Sequence, residues 1–127
     1  MEDESRPKIL PPSLRSKTRY IVFEIISDSP IEYKDFIDAL WNSTTHFLGE
    51  LLTADSQLRV LRNLYDNKSQ RGVIKCRHDM VEHVRTSLSM ISIISEIRVV
   101  IKIDGVTGTI KSARNRYLGM RDLRSYK

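Results

Sequence analysis

Cysteine, proline and glycine are scarce in this chain of 127 residues, and long apolar runs are missing. The single cysteine, Cys76, cannot form an internal disulfide, so a disulfide-stabilised scaffold is excluded. No stretch of about eighteen apolar residues occurs, so we expect no membrane-spanning helix. The first residues, MEDESRPK, are charged and are not followed by the apolar segment of a signal peptide. We therefore expect a cytoplasmic protein that works in a reducing environment without membrane contact.

Positive charge is what the chain has in excess. Lysine and arginine number 21 against 16 aspartates and glutamates, which leaves a net charge of +5. Clustered cations displace the counterions that condense on a phosphate backbone, so this balance favours a polyanionic partner. With 40% hydrophobic and 29% charged residues, a chain of this length is expected to fold as one compact domain.

The domain is expected to span residues 14–119, between two segments of different composition. Residues 1–13 carry mixed charge together with Pro7, Pro11 and Pro12, and these features indicate an extended, flexible arm. Residues 120–127 read as a basic tail. Residues 20–26, rich in β-branched and aromatic side chains, predict a strand buried on both sides.

A helix is predicted to follow this strand. Ser29 can cap it, Pro30 suits its first position, and Glu32 completes a capping box three residues after the cap. Its apolar stripe, at spacings of three and four residues, comprises Tyr33, Phe36, Ile37, Leu40, Trp41, Thr44, Phe47 and Leu48.

The remaining patterns complete a β-α-β-β-α-β order. QLRVLRNLYD and RGVIKCR flank the short polar turn NKSQ and predict a hairpin. A second helix is expected from about Asp79, and EIRVVIKID predicts a further strand. This order indicates an α+β, ferredoxin-like fold close to the RNA-recognition fold, with a four-stranded antiparallel sheet and both helices on one face. The segment TIKSARNRYLG predicts an extra C-terminal helix that ends at Gly119.

Strand alternation then sorts side chains between the two faces of the sheet. The residues expected to face the helices are Ile21, Phe23, Ile25, Ile74, Cys76, Ile97, Val99, Ile101 and Ile103. Those expected to face outward are Tyr20, Val22, Glu24, Val73, Lys75, Arg77, Arg98, Val100 and Lys102. The outward set mixes apolar side chains with cations, and Glu24 is expected to form a cross-strand charge pair between Lys75 and Lys102.

The stretch RGVIKCRH begins like the base-stacking strand of RNA-recognition domains, which carries aromatic residues at fixed positions. Those positions are here Val73, Lys75 and His78. Base–aromatic stacking contributes roughly 1–3 kcal/mol per base, and an aliphatic or ammonium group offers no such surface. The strand therefore does not fit base stacking, although Lys75 and Arg77 fit contacts to phosphates or to an acidic protein.

No catalytic motif is evident in the sequence. His46, His78 and His83 lack the paired spacing of a metal site, and Cys76 is expected to be a packed thiol rather than a nucleophile. The stretch DGVTGT has neither the spacing nor the ending of a phosphate-binding loop and is interpreted as a turn that enters the last helix.

Positive charge concentrates before the first strand and near the C-terminus, where phosphate contact is favoured over a merely solvated surface. With the cations of the hairpin, the candidate RNA-binding residues are Arg15, Lys17, Arg19, Arg71, Lys75, Arg77, Lys111, Arg114 and Arg116.

Three stretches together resemble the archaeal ribonuclease P protein component 2 family, which is related to a small protein subunit of eukaryotic ribonuclease P. They are LPPSLRSKTRYIVFEI, QRGVIKCRH and GVTGTIKSA, and the resemblance runs in order from about Leu10 to Gly119. Arg19 in RY, Arg71 in QRG and Lys111 in GTIK match the family's pattern.

This resemblance implies a non-catalytic subunit of an endoribonuclease that removes the 5′ leader from precursor tRNA. Catalysis would belong to the RNA, and the magnesium ions would be held by that RNA, with no cofactor bound by the protein. The implied partners are the catalytic domain of the ribonuclease P RNA, another protein subunit of the enzyme and, as substrate of the complex, precursor tRNA.

Two alternatives come from the fold rather than from the resemblance. One is a stand-alone ferredoxin-like regulatory module that binds proteins, although such a module would not need the basic tail. The other is a small enzyme of the acylphosphatase type, which needs an arginine-bearing loop after the first strand. The chain has SDSPIEYK at that position, with acidic residues and proline.

Overall fold

The computed structural model describes residues 17–115, which form one sheet, its helices and their connections. The strands are β1 (Thr18–Ser27), β2 (Arg59–Val60), β3 (Arg71–Arg77), β4 (Ile93–Ile94) and β5 (Ile97–Thr107). The helices are α1 (Tyr33–Leu48), α2 (Glu50–Asp55), α3 (Val81–Ser89) and α4 (Ile110–Ala113), with single 3₁₀ turns at Arg62–Leu64 and His78–Met80. The predicted arm 1–13, the tail 120–127 and the end of the last helix at Gly119 lie outside the described residues.

The sheet is antiparallel and runs in the order β2-β3-β1-β5-β4, which confirms the ferredoxin-like α+β class. A fifth strand adds to the predicted four. β4 pairs with β5 through a tight turn in which Ser95 and Glu96 both have positive φ, at 50° and 65°. Such turns favour asparagine and glycine, so the sequence carried no clear signal for this hairpin.

α1 begins later than predicted. Its N-cap is Glu32, and no side chain caps the helix, so the capping box that starts at Ser29 is wrong. The reason lies in the preceding connection, where Ile31 is buried and its N–H donates to Oε1 of Gln70 at 2.6 Å. That bond holds the chain extended until Glu32.

A second, short helix follows α1 directly. Gly49, with φ of +86°, ends α1 and starts the short α2. Of the predicted apolar stripe, Phe36, Leu40 and Thr44 are buried, whereas Trp41 and Phe47 are 39% and 42% exposed. The stripe is therefore narrower than its spacing indicated.

The predicted hairpin exists, but its first strand is short. β2 has only two residues, followed by the 3₁₀ turn and a single bridge between Asp66 and Arg71. The carboxylate of Asp66 closes the connection by accepting bonds from the Lys68 N–H and the Ser69 hydroxyl, both at 3.0 Å.

The last strand confirms the predicted alternation and extends further than expected. Ile97, Val99, Ile101 and Ile103 pack with the main core under α1 and α3. The stretch DGVT continues β5 rather than forming a turn, and a bulge at Asp104 shifts its register against β1. α4 then begins after Thr109, whose hydroxyl accepts a bond from the Ser112 N–H at 3.0 Å.

The outer face of the sheet is partly covered. Val22 and Val73, predicted to face outward, are fully buried in a second cluster with Ala113 of α4. Leu61 and Leu64 pack against the same cluster. α4 and the 3₁₀ turn therefore close this end of the face, while its other end is left uncovered by residues 17–115.

Tyr65 joins the aromatic group of Phe23, Phe36 and Tyr33 in the main core. Its hydroxyl donates to the Ile31 carbonyl at 2.8 Å. Burial, with smaller effects from the Glu32 and Asp66 carboxylates, raises the pKa of Tyr65 from 10.0 to about 12.

This shift predicts a loss of stability at high pH. In the folded protein the Tyr65 phenol stays protonated at pH values where the same phenol ionises in the unfolded chain. Its contribution to the free energy of unfolding is therefore complete below pH 10.0 and is lost as pH rises through about 12. Ultraviolet titration should show one tyrosine that ionises near pH 12, and Tyr65→Phe should remove it. A folded protein whose tyrosines all titrate together would contradict this prediction.

Candidate nucleic-acid interface

The strand that carries RGVIKCRH, β3, occupies a central position in the sheet beside β1. Val73 is buried beneath α4, Lys75 is half-buried, and His78 is exposed beyond the strand end. Tyr20, directly opposite Lys75, packs against the second cluster. The positions used for stacking in RNA-recognition domains thus offer no aromatic surface.

Gln70, which precedes this strand, connects it by side-chain hydrogen bonds to the end of β1 and to the segment before α1. Its Nε2 donates to the Ile25 carbonyl at 2.8 Å and to the Ser27 hydroxyl at 3.0 Å, while its Oε1 accepts from the Ile31 N–H. The side chain is buried, and its backbone holds a φ of +56°. Gln70 therefore fixes the path of the chain between β1 and α1.

Gly72, two residues after Gln70, allows close packing of β3 against the core. A Cβ at this position would lie 2.8 Å from Cζ of Phe23 and 3.0 Å from Cδ1 of Tyr65. The phenylalanine ring is held on its far side, since it stacks on Phe36 with a centroid separation of 4.7 Å. Only glycine lets the β3 backbone approach this aromatic group.

Arg71 lies in a mixed charge cluster on the outer face. Its guanidinium approaches the Asp104 carboxylate to 3.2 Å and the Glu24 carboxylate to 3.9 Å. Lys102 lies 3.8 Å from Asp104. Glu24 therefore faces Arg71 and Lys102, and the predicted pairing with Lys75 is wrong because Lys75 lies opposite Tyr20.

Arg77 is likewise compensated by carboxylates. It donates to Asp79 at 2.6 Å and to Asp55 at 3.0 Å. The hydrogen bond between the two side chains raises the pKa of Arg77 and holds the pKa of Asp79 below its usual value. These contacts make Arg71 and Arg77 part of the fold's own ion pairs, and less available to a phosphate than the sequence alone indicated.

The two described cations at the start of β1 differ in exposure and contacts. Lys17 is exposed, and its carbonyl accepts the His78 N–H at 2.9 Å. Arg19 is half-buried opposite Cys76, and its Nη1 donates to the Thr18 carbonyl at 2.8 Å. Alternation places it on the helix-covered side with Ile21. The candidates Arg15 and Arg116 lie outside the described residues.

Lys111 lies on α4 and Arg114 directly follows this helix, which is anchored by the fully buried Ala113. Both are exposed. Two further cations, Arg59 and Arg62, lie near this helix and were missed in the sequence because QLRVLRNLYD was interpreted only as a strand. Their spacing of three residues in RVLR was the available signal.

Arg59 lies directly opposite Lys75, and Arg62 stacks on Tyr33 with 4.8 Å between its Cζ and the ring centroid. Among the ion pairs within residues 17–115, neither these two arginines nor Lys75, Lys111 and Arg114 have a carboxylate partner. The uncompensated positive charge therefore gathers where β2 and α4 approach each other.

The side chains considered for catalysis in the sequence lie in surroundings that do not favour catalysis. Cys76 is buried, as predicted for a packed thiol, and burial with a smaller effect from Asp79 raises its pKa to about 11. Such a thiol is a poor nucleophile near neutral pH. Within residues 17–115, no three His, Cys, Asp or Glu side chains gather as metal ligands.

The helices in this part of the chain are too short or too polar to cross a membrane.

The opposite end of the outer face is apolar, and the described part of the chain does not cover it. Ile26 and Val100 are cross-strand neighbours, 50% and 61% exposed, and Ile93 on β4 is 57% exposed. Together they line an open groove with Arg98 and Asp28 at its rim. These three side chains are called the apolar patch below.

Comparisons with known proteins agree on one family. The sequence profile of the Rpp14/Pop5 family matches residues 19–118. The chain is 39% identical over 113 residues to ribonuclease P protein component 2 of Pyrococcus furiosus, with 89% of this chain and 92% of the relative covered. It is 37% identical over 111 residues to the protein of the same description from Methanosarcina mazei, with coverages of 87% and 92%.

A solved structure shares the fold. A chain in the cryo-EM structure of yeast ribonuclease MRP matches with a TM-score of 0.59 at 11% sequence identity. The match covers 87% of the present chain and 93% of that chain.

Proposed function

The chain belongs to the Rpp14/Pop5 family and is a protein subunit of ribonuclease P, and from this membership we propose that it supports a catalytic RNA in removing the 5′ leader from precursor tRNA. The protein itself acts as a non-catalytic subunit. It binds the catalytic domain of the RNA and another protein subunit, and precursor tRNA is the substrate of the assembled complex.

The observation that carries this proposal is the separation of two surfaces. Cations that have no carboxylate partner within residues 17–115 gather around β2 and α4, whereas the apolar patch lies at the far end of the sheet. Cations beside folded RNA lower the repulsion between its phosphates, and this effect is independent of base sequence. The protein thereby helps the RNA keep its folded geometry.

Magnesium belongs to the RNA in this proposal. The described residues 17–115 do not fit a magnesium site, since their His, Cys, Asp and Glu side chains form no ligand group. The contribution of the protein is to hold RNA segments together, so that fewer free magnesium ions are needed for screening.

The apolar patch fits a protein partner better than RNA. Burial of the exposed Ile26, Ile93 and Val100 against a partner is favourable by about 25 cal/mol per Å² of apolar surface removed from water. A charged phosphate backbone at the same place would not provide a comparable stabilisation. We place the other ribonuclease P protein subunit, the binding partner of this chain, on this patch, with Arg98 and Asp28 at the polar rim.

Reconstitution of precursor-tRNA cleavage from the cognate RNA and protein subunits tests the proposed function. Omission of this chain should slow cleavage most at low magnesium, and added magnesium should restore part of the rate. The physical reason is that magnesium ions substitute for missing cationic side chains in screening phosphates.

The matched control is an Ile26→Asp, Val100→Asp variant, which keeps the cations at β2 and α4 and disrupts the apolar patch. It should lose binding to the protein subunit while retaining direct binding to the RNA. An unchanged cleavage rate and magnesium requirement after omission of the chain would overturn the proposed function.

A further inference from the structure

An open groove of about 710 Å³ follows the β2 edge of the sheet toward the start of α4. Among the described residues, those that line it are Tyr33, Arg59, Val60, Leu61, Arg62, Asn63, Lys75 and Ile110. Three of these are cations and none is acidic. Their combination of positive charge, an amide and an apolar floor suits a chain that alternates phosphates with sugars.

Arg59 and Lys75 form an unfavourable pair in the free protein. They lie directly opposite each other on β2 and β3, and like charges in this arrangement destabilise a sheet. The carboxylates that compensate Arg71 and Arg77 belong to other elements, Asp104 to β5 and Asp55 to α2. A bound anion between the two side chains would relieve their repulsion.

Arg62 is held ready for an anion by its stacking on Tyr33. The Tyr33 hydroxyl donates to the Val60 carbonyl at 3.2 Å, which fixes the ring beside the groove. A guanidinium stacked at 4.8 Å from the ring centroid keeps its N–H edge free for a phosphate, and it loses less side-chain entropy on binding. Because the arginine covers Tyr33, the ring is not available to stack a base.

Both walls of the groove are anchored in the second cluster. Leu61, from the β2 side, packs against Val22 and Val73, and Ala113 holds α4 on the same residues. Ile110 begins α4 at the mouth of the groove, and the exposed Lys111 follows it. The positive surface therefore continues from the groove onto α4 across a rigid support.

We propose that this groove binds the sugar–phosphate backbone of the ribonuclease P RNA, with Arg59 and Lys75 sharing one phosphate and Arg62 contacting a neighbouring one. This inference rests on the proposed function and assigns it a specific contact. The apolar floor of Val60, Leu61 and Ile110 lies against ribose. Recognition is independent of base identity, because the groove presents no free aromatic ring.

The test compares two charge-matched double variants of the full chain. Arg59→Gln with Lys75→Gln neutralises the groove, and Lys68→Gln with Arg85→Gln removes the same charge from exposed positions elsewhere. Affinity for the cognate ribonuclease P RNA is measured across a salt series, in the presence of the partner protein subunits. Thermal unfolding of each free protein is measured in parallel.

The groove variant should bind the RNA about tenfold more weakly at about 0.1 M salt, and its log–log salt slope should fall by about 1, because the two lost cations share one phosphate. The control variant should change both quantities much less. Since the groove variant also removes a like-charge pair, its free form should be as stable as the original protein or more stable. Lower RNA affinity without lower stability is a result that a purely structural role does not produce.

Several outcomes would overturn the proposal that the groove binds RNA. One is an RNA affinity and salt slope equal to those of the control variant. Another is weakened binding to a protein subunit with RNA binding unchanged, which would make the groove a protein interface. If the double variant failed to fold, Arg59→Gln alone, at an exposed edge position, would decide between the same outcomes. Any of these results, combined with slower cleavage when the whole chain is omitted, would leave the proposed function standing.

Discussion

Replacing Gln70 with alanine is expected to lower the free energy of unfolding by about 2–5 kcal/mol, since buried groups left without a partner each cost about 1–3 kcal/mol. The substitution removes the acceptor of the Ile31 N–H and the side-chain donor to the Ile25 carbonyl. It also frees the connection between β1 and α1. Urea denaturation, followed by circular dichroism, measures the change.

Two further variants separate the causes of this effect. Gln70→Gly loses the same hydrogen bonds but relaxes a φ of +56°, so it should be about 1 kcal/mol more stable than the alanine variant. Gln57 has a similar φ of +57° and an exposed side chain. Gln57→Ala should therefore change stability by less than about 0.5 kcal/mol. Equal effects at Gln70 and Gln57 would show that backbone strain, rather than the buried hydrogen bonds, decides the loss.

Gly72→Ala is expected to destabilise the protein by about 1–3 kcal/mol through overpacking, and Gly72→Val by more. The added Cβ would lie 2.8 Å from the Phe23 ring, which cannot retreat because it stacks on Phe36. Denaturant titration of the two variants should give losses that increase with side-chain volume.

Gly108 provides the matched control for this prediction. No atom lies within 4 Å of a Cβ built there, so Gly108→Ala should leave stability unchanged or raise it by up to about 1 kcal/mol. Combining Gly72→Ala with Phe23→Leu should cost less than the sum of the two single changes, because the smaller side chain vacates space for the new methyl group. Strict additivity of the pair would argue against the proposed clash.

These two predictions change the interpretation of QRG, which carries part of the family resemblance. Gln70 holds a loop in place, Arg71 approaches Asp104 and Glu24, and Gly72 admits the strand to the aromatic core. The motif therefore serves the fold, and an RNA contact of this protein is better sought at Arg59, Arg62 and Lys75.

The distribution of charge illustrates what composition leaves open. The net charge of +5 indicates a polyanionic partner, but it does not distinguish a paired arginine from an unpaired one. Arg77 pairs with Asp55, 22 residues before it, and with Asp79, two residues after it. Only folding brings the distant Asp55 into contact with Arg77. Lys75, two residues before Arg77 on the same strand, meets Arg59 instead.

Strong local patterns predicted much of the architecture. The alternation in β5 and the apolar runs in β1 and β3 identified three strands and their buried sides, because a period of two is a property of the strand itself. The weaker elements were missed. Two-residue β4 has too few side chains to show a period, and α1 starts at Tyr33 because a bond from Gln70, distant in sequence, holds Ile31 extended.

By itself, the sequence determined the fold class, the family and the basic character of this protein, since these follow from periodicity, motif order and summed charge. Only the tertiary structure decided which cations of residues 17–115 pair with a carboxylate and which part of the outer face these residues cover. Ion pairs such as Arg71–Asp104 depend on a bulge in β5, and the burial of Val22 and Val73 depends on where α4 packs. Both are contacts between residues far apart in the chain, whose distances no local pattern encodes.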